Sequence, residues 1–217
     1  LLLSLVSGGL LDARTRTSVY LNREGVWRLD APDRVFESKA EWSLEELLDL
    51  DGDGRLELVR TGVPFGVLAL IEVLVTRAFD AEVRVHRADP HHGFEPKPWL
   101  RRGLELPISF ETGRMLGFVP TARLDLNGDG QRDLLLSGAG ERIEVWLGGP
   151  GAYRKRHARQ ALRTTGRLVS GDLDADGLPD LLLYDPRDPA APLRIVRNLG
   201  VLEGTKPRIT SGVRKPR

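Results

Sequence analysis

The sequence predicts an all-β protein built from repeated strand–loop–strand units. An acidic ten-residue segment occurs three times, and each copy runs into a short apolar, strand-like stretch. Further short stretches of alternating polarity follow, separated by Gly, Asn and Pro, as is typical of antiparallel hairpins. Internal repetition therefore organises this chain and is the first feature to explain.

The acidic segments share one pattern. They are residues 49–58 (DLDGDGRLEL), 125–134 (DLNGDGQRDL) and 172–181 (DLDADGLPDL), designated loops 1, 2 and 3. Acidic or amide side chains occupy positions 1, 3, 5 and 9 of each loop, and Gly occupies position 6. Because Gly adopts a left-handed backbone easily, position 6 allows each loop to wrap around a central point.

Oxygen atoms at alternate positions of a tight loop can converge on one cation. Ca2+ binds about 6–8 oxygen ligands, and no nitrogen or sulfur donor occurs in the motif, which argues against zinc or copper. Mg2+ prefers a smaller, more hydrated shell. Two neighbouring carboxylates repel by ~1 kcal/mol in water and ~4 kcal/mol near a protein surface, and a divalent cation reverses that repulsion.

The predicted Ca2+ ligands are the side chains at positions 1, 3, 5 and 9 and the backbone carbonyl at position 7. They are Asp49, Asp51, Asp53, Arg55 and Glu57 in loop 1; Asp125, Asn127, Asp129, Gln131 and Asp133 in loop 2; and Asp172, Asp174, Asp176, Leu178 and Asp180 in loop 3.

The loops have two other possible interpretations. They could be ordinary turns rich in Asp and Gly, but three copies with matched positions favour a common ligand. An EF-hand requires a bidentate Glu at position 12, where this chain has Arg60, Leu136 and Leu183. An EF-hand loop also continues into a helix, whereas a strand-like stretch follows each loop here, so the EF-hand is excluded.

With these motifs the chain resembles the FG-GAP/VCBS repeat family, related to the β-propeller of integrin α-chains, over about residues 10–200. The resemblance implies blades of four antiparallel strands, with a calcium loop between the first two, and a secreted or cell-surface location. The expected fold is thus a β-propeller-like array of about four blades, complete or part of a larger propeller. Two departures from the family pattern are Ala175 at position 4 and Glu57 at position 9.

The loops also divide the chain. We predict an incomplete first repeat at 1–48, a second repeat with an insertion at 49–124, a third at 125–171, a fourth at 172–204 and a tail at 205–217.

Two segments lie outside the simple repeat. The apolar stretch 65–79 is the expected insertion, and its length favours a short helix that packs on the sheets or docks a partner. At residues 43–50, Ser43 and Glu46 have capping-box spacing, which favours a helix, whereas the repeat requires a strand. The sequence leaves that conflict open.

Composition limits the classes of function. The 217 residues carry 32 basic and 31 acidic side chains, so no overall charge attracts nucleic acid, and we expect no nucleic-acid partner. Cys is absent, which excludes disulfides and a cysteine nucleophile. No G-x-S-x-G, P-loop or H-E-x-x-H motif occurs, and no apolar run reaches the ~20 residues of a transmembrane helix.

We therefore expect a non-enzymatic, calcium-binding scaffold or adhesion module, secreted or at a cell surface. Its partner would be a protein, a glycan or the remainder of the same chain. Two alternatives stay open: the propeller domain of a secreted polysaccharide-active enzyme, and a structural subunit of a larger surface assembly. A pocket of unliganded carboxylates, arginines and aromatic residues would favour the enzyme, and an exposed apolar face on 65–79 would favour the assembly.

Overall fold

The structure is a computed structural model, and it describes residues 14–39, 41–111, 114–115, 120–138, 142–149, 153, 156–161, 167–186, 188, 190–200 and 209–213. Contacts divide the chain into two compact units. Unit 1 comprises the described residues of Leu1–Leu48 and Gly54–Gly103, and unit 2 those of Asp49–Asp53 and Leu104–Arg217. Both are built from antiparallel strands, so the all-β prediction is confirmed.

Unit 1 contains short antiparallel sheets and a helix. Its elements are β1 (Arg14–Val19), β2 (Arg34–Lys39), β3 (Glu41–Leu48), β4 (Glu57–Pro64), α1 (Val67–Thr76), β5 (Ala78–His86), β6 (Ala88–Asp89), β7 (Gly93–Phe94) and the start of β8 (Leu100–Ser109). β1 pairs with β2, β6 pairs with β7, and β3, β4, β5 and β8 are neighbours in that order. The residues of β4 from Glu57 to Gly62 are all buried.

The segment with conflicting signals is a strand. β3 pairs with β4 along its whole length, from Glu41 opposite Pro64 to Leu48 opposite Glu57. Backbone pairing with a neighbour distant in sequence outweighs the weak local preference of a capping-box spacing. The repeat pattern, and not the helix signal, was therefore the correct guide at 43–50.

The apolar insertion forms the predicted short helix. α1 ends where Arg77 takes a left-handed conformation, with φ of 57°, and donates its N–H to the Val73 carbonyl. The helix lies against β5 and buries Val73. Its large apolar side chains that remain exposed are Leu68, Ile71, Leu74 and Val75. Within the described residues, none of the helical structure has the length and apolar character needed to cross a membrane.

Unit 2 contains two four-stranded antiparallel sheets whose strands follow chain order. The first sheet consists of β10 (Thr121–Leu124), β11 (Asp133–Gly138), β12 (Arg142–Trp146) and β13 (Arg156–Ala161). The second consists of β14 (Arg167–Gly171), β15 (Asp180–Tyr184), β16 (Arg194–Asn198) and β17 (Ile209–Val213), the last lying within the segment predicted to be a tail. The end of β8 pairs with β9 (Arg114–Met115).

These two sheets share one apolar core. Its buried residues are Leu135, Ile143 and Val145 from the first sheet and Leu181, Leu183 and Val196 from the second. The Asn198 side chain also donates a hydrogen bond of 2.7 Å to the Leu126 carbonyl, which links the two sheets through polar groups. Each sheet has four strands, and neither is closed. Their arrangement as blades of a propeller stays a prediction.

Candidate metal centres

The three acidic loops occupy equivalent places, because each connects the first two strands of a sheet. Loop 1 joins β3 to β4, loop 2 joins β10 to β11, and loop 3 joins β14 to β15. All three have left-handed backbone at positions 4 and 6, with φ of 75° and 83° at Gly52 and Gly54, 74° and 82° at Gly128 and Gly130, and 62° and 88° at Ala175 and Gly177. The left-handed turn expected at position 6 is confirmed.

Position 1 gathers backbone N–H groups from its own loop. In loop 2, Asp125 Oδ1 accepts a hydrogen bond from Gly128 N–H at 2.7 Å, and Oδ2 accepts one from Gly130 N–H at 2.8 Å. In loop 3, Asp172 Oδ2 accepts from Gly177 N–H at 3.0 Å. Left-handed residues turn their N–H groups toward the inside of the loop, so the loops are shaped by their own carboxylates.

Position 9 of loop 2 ties that loop to a distant strand end. Asp133 is fully buried, with Oδ2 accepting from Leu126 N–H at 2.7 Å and Oδ1 from Gly148 N–H at 2.8 Å. Burial raises the pKa of Asp133, the two N–H groups lower it, and the charges of Asp129 and Asp125 raise it further. Asp133 is therefore a structural clamp as well as a predicted ligand.

Loop 3 repeats this clamp with different partners. Asp180 is also fully buried, and it accepts from Leu173 N–H at 3.1 Å and from Asn198 N–H at 2.7 Å. Gly148 and Asn198 were not identified from the sequence as contributors to the loops. The signal available was the turn that recurs after the third strand of each sheet, WLGG in one and RNLG in the other.

Two loops bring three carboxylates together. In loop 1, three carboxylate oxygens, one from each of Asp49, Asp51 and Asp53, lie within 4.8 Å of one another. Oxygens of Asp172, Asp174 and Asp180 do the same in loop 3. Among the described residues, loop 2 has no such group of three carboxylates.

The other predicted ligands have individual places. In loop 2, Asn127 donates its side-chain N–H to Asp129 at 2.9 Å. In loop 3, Asp176 accepts the N–H of Leu178 at 2.9 Å.

The remaining predicted ligands lie at position 7 of the loops and at the end of loop 1. Gln131 and Leu178 are half-buried at position 7 of loops 2 and 3. Arg55 and Glu57 belong to unit 1, where Arg55 is exposed and Glu57 is buried at the first residue of β4.

The donor chemistry of the clusters fits Ca2+. Every side-chain donor is an oxygen, and an ionised carboxylate has about four lone-pair sites, so one or two N–H bonds leave room for a cation. In loop 1, Asp51 Oδ1 is buried and has no hydrogen-bond partner among the described residues. A buried anionic oxygen without a donor is costly, and a cation would satisfy it. In loop 3, Arg197 forms an ion pair with Asp174 and partly offsets the negative charge.

Neighbouring loops in unit 2 fit together through positions 4 and 7. A Cβ atom added to Gly52 would lie 2.7 Å from Nε2 of Gln131, at position 7 of the next loop. A Cβ added to Gly128 would lie 3.1 Å from Cδ2 of Leu178, again at position 7 of the next loop. Gly at position 4 of loops 1 and 2 therefore suits both the left-handed backbone and the space left by the neighbouring side chain, whereas loop 3 holds the same conformation with Ala175.

Residues 125–183 match the family model described as an FG-GAP-like repeat. The chain contains an FG-GAP-like repeat. The FG-GAP-like segment runs from the first residue of loop 2 into β15, and it therefore includes both loops of unit 2 that carry the Asp133 and Asp180 clamps. Comparison with curated proteins found no match, and comparison with solved structures found none either.

Proposed function

We propose that the chain is a calcium-binding FG-GAP-like module that acts as a non-enzymatic binding or scaffold domain outside the cell or at its surface. The observation that carries this proposal is the recurrence of one loop geometry three times, with left-handed turns at the same two positions. Two of the loops gather three carboxylates each. The match to an FG-GAP-like repeat over residues 125–183, which include all of loops 2 and 3, supports calcium as the ion.

Calcium would act on the sheets through the loops. The side chains that would bind it are Asp49, Asp51 and Asp53 in loop 1, Asp125, Asn127, Asp129 and Asp133 in loop 2, and Asp172, Asp174 and Asp180 in loop 3. The ion would supply the positive charge that offsets the repulsion between these groups. Because each loop joins the first two strands of its sheet, closing the loop fixes the spacing of that strand pair.

The proposed partner is a protein or a glycan at a cell surface, or the remainder of the same chain. The near balance of basic and acidic side chains supports the exclusion of nucleic acid from this proposal. A location outside the cell is supported by the type of repeat and by the high free calcium there, which weak oxygen-ligand sites require.

Unit 1 contains a cavity whose lining bears on the polysaccharide-active alternative. That cavity has a volume of about 370 Å³, and its lining contains one carboxylate, Glu37. Hydrolysis of glycosidic bonds ordinarily uses a pair of carboxylates on either side of the bond. The cavity therefore lacks the arrangement that would favour the polysaccharide-active alternative.

A calcium titration of thermal stability tests the main proposal. A ligand at about 100 times its Kd stabilises the folded state by about 2.7 kcal/mol, which raises the melting temperature of a domain of this size by roughly 5–10 °C. We expect that increase with CaCl2 and its loss with excess chelator, and a smaller increase with MgCl2. An unchanged melting temperature with saturating CaCl2 would refute calcium binding.

The exposed apolar face of α1 favours a second candidate, a structural subunit of a larger surface assembly. Leu68 and Val75 are 83% and 78% exposed, and Ile71 and Leu74 are also exposed. Side chains of this type on one helix are frequently covered by a partner. Sedimentation of the wild type and of the Leu68→Glu/Val75→Glu variant tests self-assembly: we expect association by the wild type alone, and a monomeric wild type would refute it.

A further inference from the structure

The cavity in unit 1 has a strongly basic lining. Residues of β2, β4, β5 and β8 and prolines of the segment after β7 surround its volume of about 370 Å³. Volumes of roughly 300–1,000 Å³ are typical of sites for small ligands. The charged lining consists of Arg34, Arg60, Arg84 and Arg101, with Glu37 as the carboxylate and His86 as a titratable neighbour. This excess of guanidinium groups favours an anion.

Two donors of Arg60 have no hydrogen-bond partner. It is 3% exposed, and its Nε and Nη2 atoms are buried without a hydrogen-bond partner among the described residues. The nearest carboxylate oxygen, Glu45 Oε1, lies 3.5 Å from Nε, which is longer than a hydrogen bond of ~2.7–3.2 Å. That oxygen already accepts the Thr17 hydroxyl at 2.7 Å.

The orientation of Arg60 suits bidentate recognition. Its Cζ atom lies 4.9 Å from the centroid of the Phe36 ring, a cation–π contact that holds the guanidinium plane in place. Nε and Nη2 form one edge of the guanidinium, so their N–H groups can donate in parallel to two oxygens of one anion. Buried donors without partners cost free energy that such an anion would recover.

Arg84 provides an internal comparison. It lies opposite Arg60 in the β4–β5 pairing, and it also lines the cavity. Its Nη1 and Nη2 atoms donate to Glu41 at 2.8 Å and 3.1 Å, and its Nε donates to Glu82. The donors of Arg84 are thus satisfied by two carboxylates, whereas Nε and Nη2 of Arg60 are buried without a hydrogen bond, and Nε has only the longer ion pair with Glu45.

His86 supplies an acceptor to the same cavity. It is 2% exposed, and its Nδ1 lies 2.9 Å from the Glu95 carbonyl oxygen. A carbonyl oxygen only accepts, so Nδ1 carries the proton, and Nε2 of the neutral ring is an acceptor. Nε2 is buried and has no hydrogen-bond partner in the described part of the chain.

The two unsatisfied groups lie on neighbouring strands and on the same face of the sheet. In the β4–β5 register His86 lies opposite Leu58, two residues from Arg60 on the same face. Such diagonal neighbours are separated by about 7–8 Å, within reach of long side chains. Both also contact the Phe36 ring, whose centroid is 4.6 Å from that of the His86 ring.

We propose that this cavity binds inorganic hydrogen phosphate. Two phosphate oxygens accept from the Nε and Nη2 edge of Arg60, and the P–OH group donates to Nε2 of His86. Sulfate and a carboxylate have no proton to donate at neutral pH, and a phosphomonoester, whose second pKa is about 6, has largely lost its own. Each of those anions would place a lone pair against the lone pair of Nε2.

The state of His86 is consistent with this assignment. Burial lowers the pKa of His86, and the charges of Arg60, Arg84 and Arg101 lower it further, while the hydrogen bond to the Glu95 carbonyl opposes them. The imidazole is therefore neutral at pH 7, which makes Nε2 an acceptor without any ligand present.

Titration of the full chain with sodium phosphate tests the proposal. Calorimetry measures the binding, and the 1H–15N signal of the Arg60 Nε–H group reports where it occurs. A chelator keeps calcium phosphate from forming and separates this site from the acidic loops. With titrant up to about 10 mM, a Kd in the millimolar range or tighter is detectable. We expect saturable binding of phosphate, and binding at least tenfold weaker for sulfate and for a phosphomonoester.

Two variants distinguish the site from general attraction to positive charge. Arg60→Lys keeps the charge but loses the bidentate edge, and it should weaken phosphate binding at least tenfold. Glu45→Gln removes the carboxylate nearest to Arg60, and it should strengthen binding, a gain that a folding defect cannot produce. No saturable binding by the wild type, equal affinity for sulfate, or a Glu45→Gln variant no tighter than the wild type would each overturn the proposal.

Discussion

Asp133→Asn tests whether position 9 of the acidic loops is a structural clamp in addition to a metal ligand. The substitution preserves side-chain shape and removes one acceptor oxygen. Asp133 accepts from Leu126 N–H at 2.7 Å and from Gly148 N–H at 2.8 Å, so the amide of Asn must point its own N–H group at one of these donors. One buried backbone N–H is then left without an acceptor.

The expected loss of stability follows from these contacts. A buried donor left unsatisfied costs about 1–3 kcal/mol, and the remaining bond loses its ionic character, which is worth roughly another 1 kcal/mol. Burial of the charge, and to a smaller extent repulsion from Asp129 and Asp125, raises the pKa of Asp133, and relief of both in the neutral Asn offsets part of this loss. We expect a net destabilisation of about 2–3 kcal/mol.

Urea denaturation in excess chelator measures this effect without any contribution from bound calcium. Asp129→Asn is the matched control, because Asp129 lies in the same loop but is exposed. Its substitution should change stability by less than about 0.5 kcal/mol in chelator. In a calcium titration, by contrast, Asp129→Asn should have the clear effect: its calcium stoichiometry should be lower by one than that of the wild type. If Asp133→Asn is as stable as the wild type in chelator, the clamp does not hold loop 2 in place.

Four further substitutions test other features. Gly128→Ala should destabilise the chain by about 1–2 kcal/mol, because a Cβ there meets Leu178 and the backbone is left-handed, and denaturant midpoints measure this. Ala175→Gly should stabilise by up to about 1 kcal/mol in the same assay by relieving left-handed strain. Arg197→Gln should raise the calcium affinity of loop 3 in a calorimetric titration, because it removes the cation beside that cluster. Finally, lowering the pH from about 7.5 to about 5.5 should reduce the free energy of unfolding of the wild type more than that of His86→Gln. The folded-state pKa of His86 lies below its reference value of 6.5, so the unfolded chain takes up the proton first. Equal pH dependence of the two proteins would contradict this.

The loops could be predicted from the sequence because their geometry is local. Alternate acidic positions and Gly at position 6 specify a tight left-handed loop within ten residues, and loops 1, 2 and 3 all adopt it. The segment 65–79 was likewise predictable as a helix from its length and apolar character, and α1 spans Val67–Thr76.

Pairing between distant segments was not predictable in the same way. At 43–50 the local signals disagreed, and the pairing of β3 with β4 decided the conformation. The clamp partners Gly148 and Asn198 lie 15 and 18 residues from the aspartates that they contact. Only the fold specifies which backbone N–H groups reach those carboxylates.

The basic cavity shows the same limit more clearly. Phe36, Arg60 and His86 come from β2, β4 and β5, and no motif in the sequence relates them. An Arg in a strand ordinarily predicts a solvated face, yet Arg60 is buried, and two of its donors have no hydrogen-bond partner among the described residues. Strand register, which places Arg60 and His86 on one face of the sheet, creates the site.

The N–H bonds that shape loops 2 and 3 come from the chain itself, through Asp125, Asp133, Asp172 and Asp180. The carboxylates that would bind a cation are thus already held by backbone N–H groups of the chain. Mg2+ requires an octahedral shell of ~2.0–2.1 Å, shorter than the ~2.3–2.6 Å of Ca2+, so a loop held at calcium distances would discriminate against Mg2+. The same rigidity means that ion release need not alter the surface these loops display, so calcium here would secure a fixed shape and would not work as a signal.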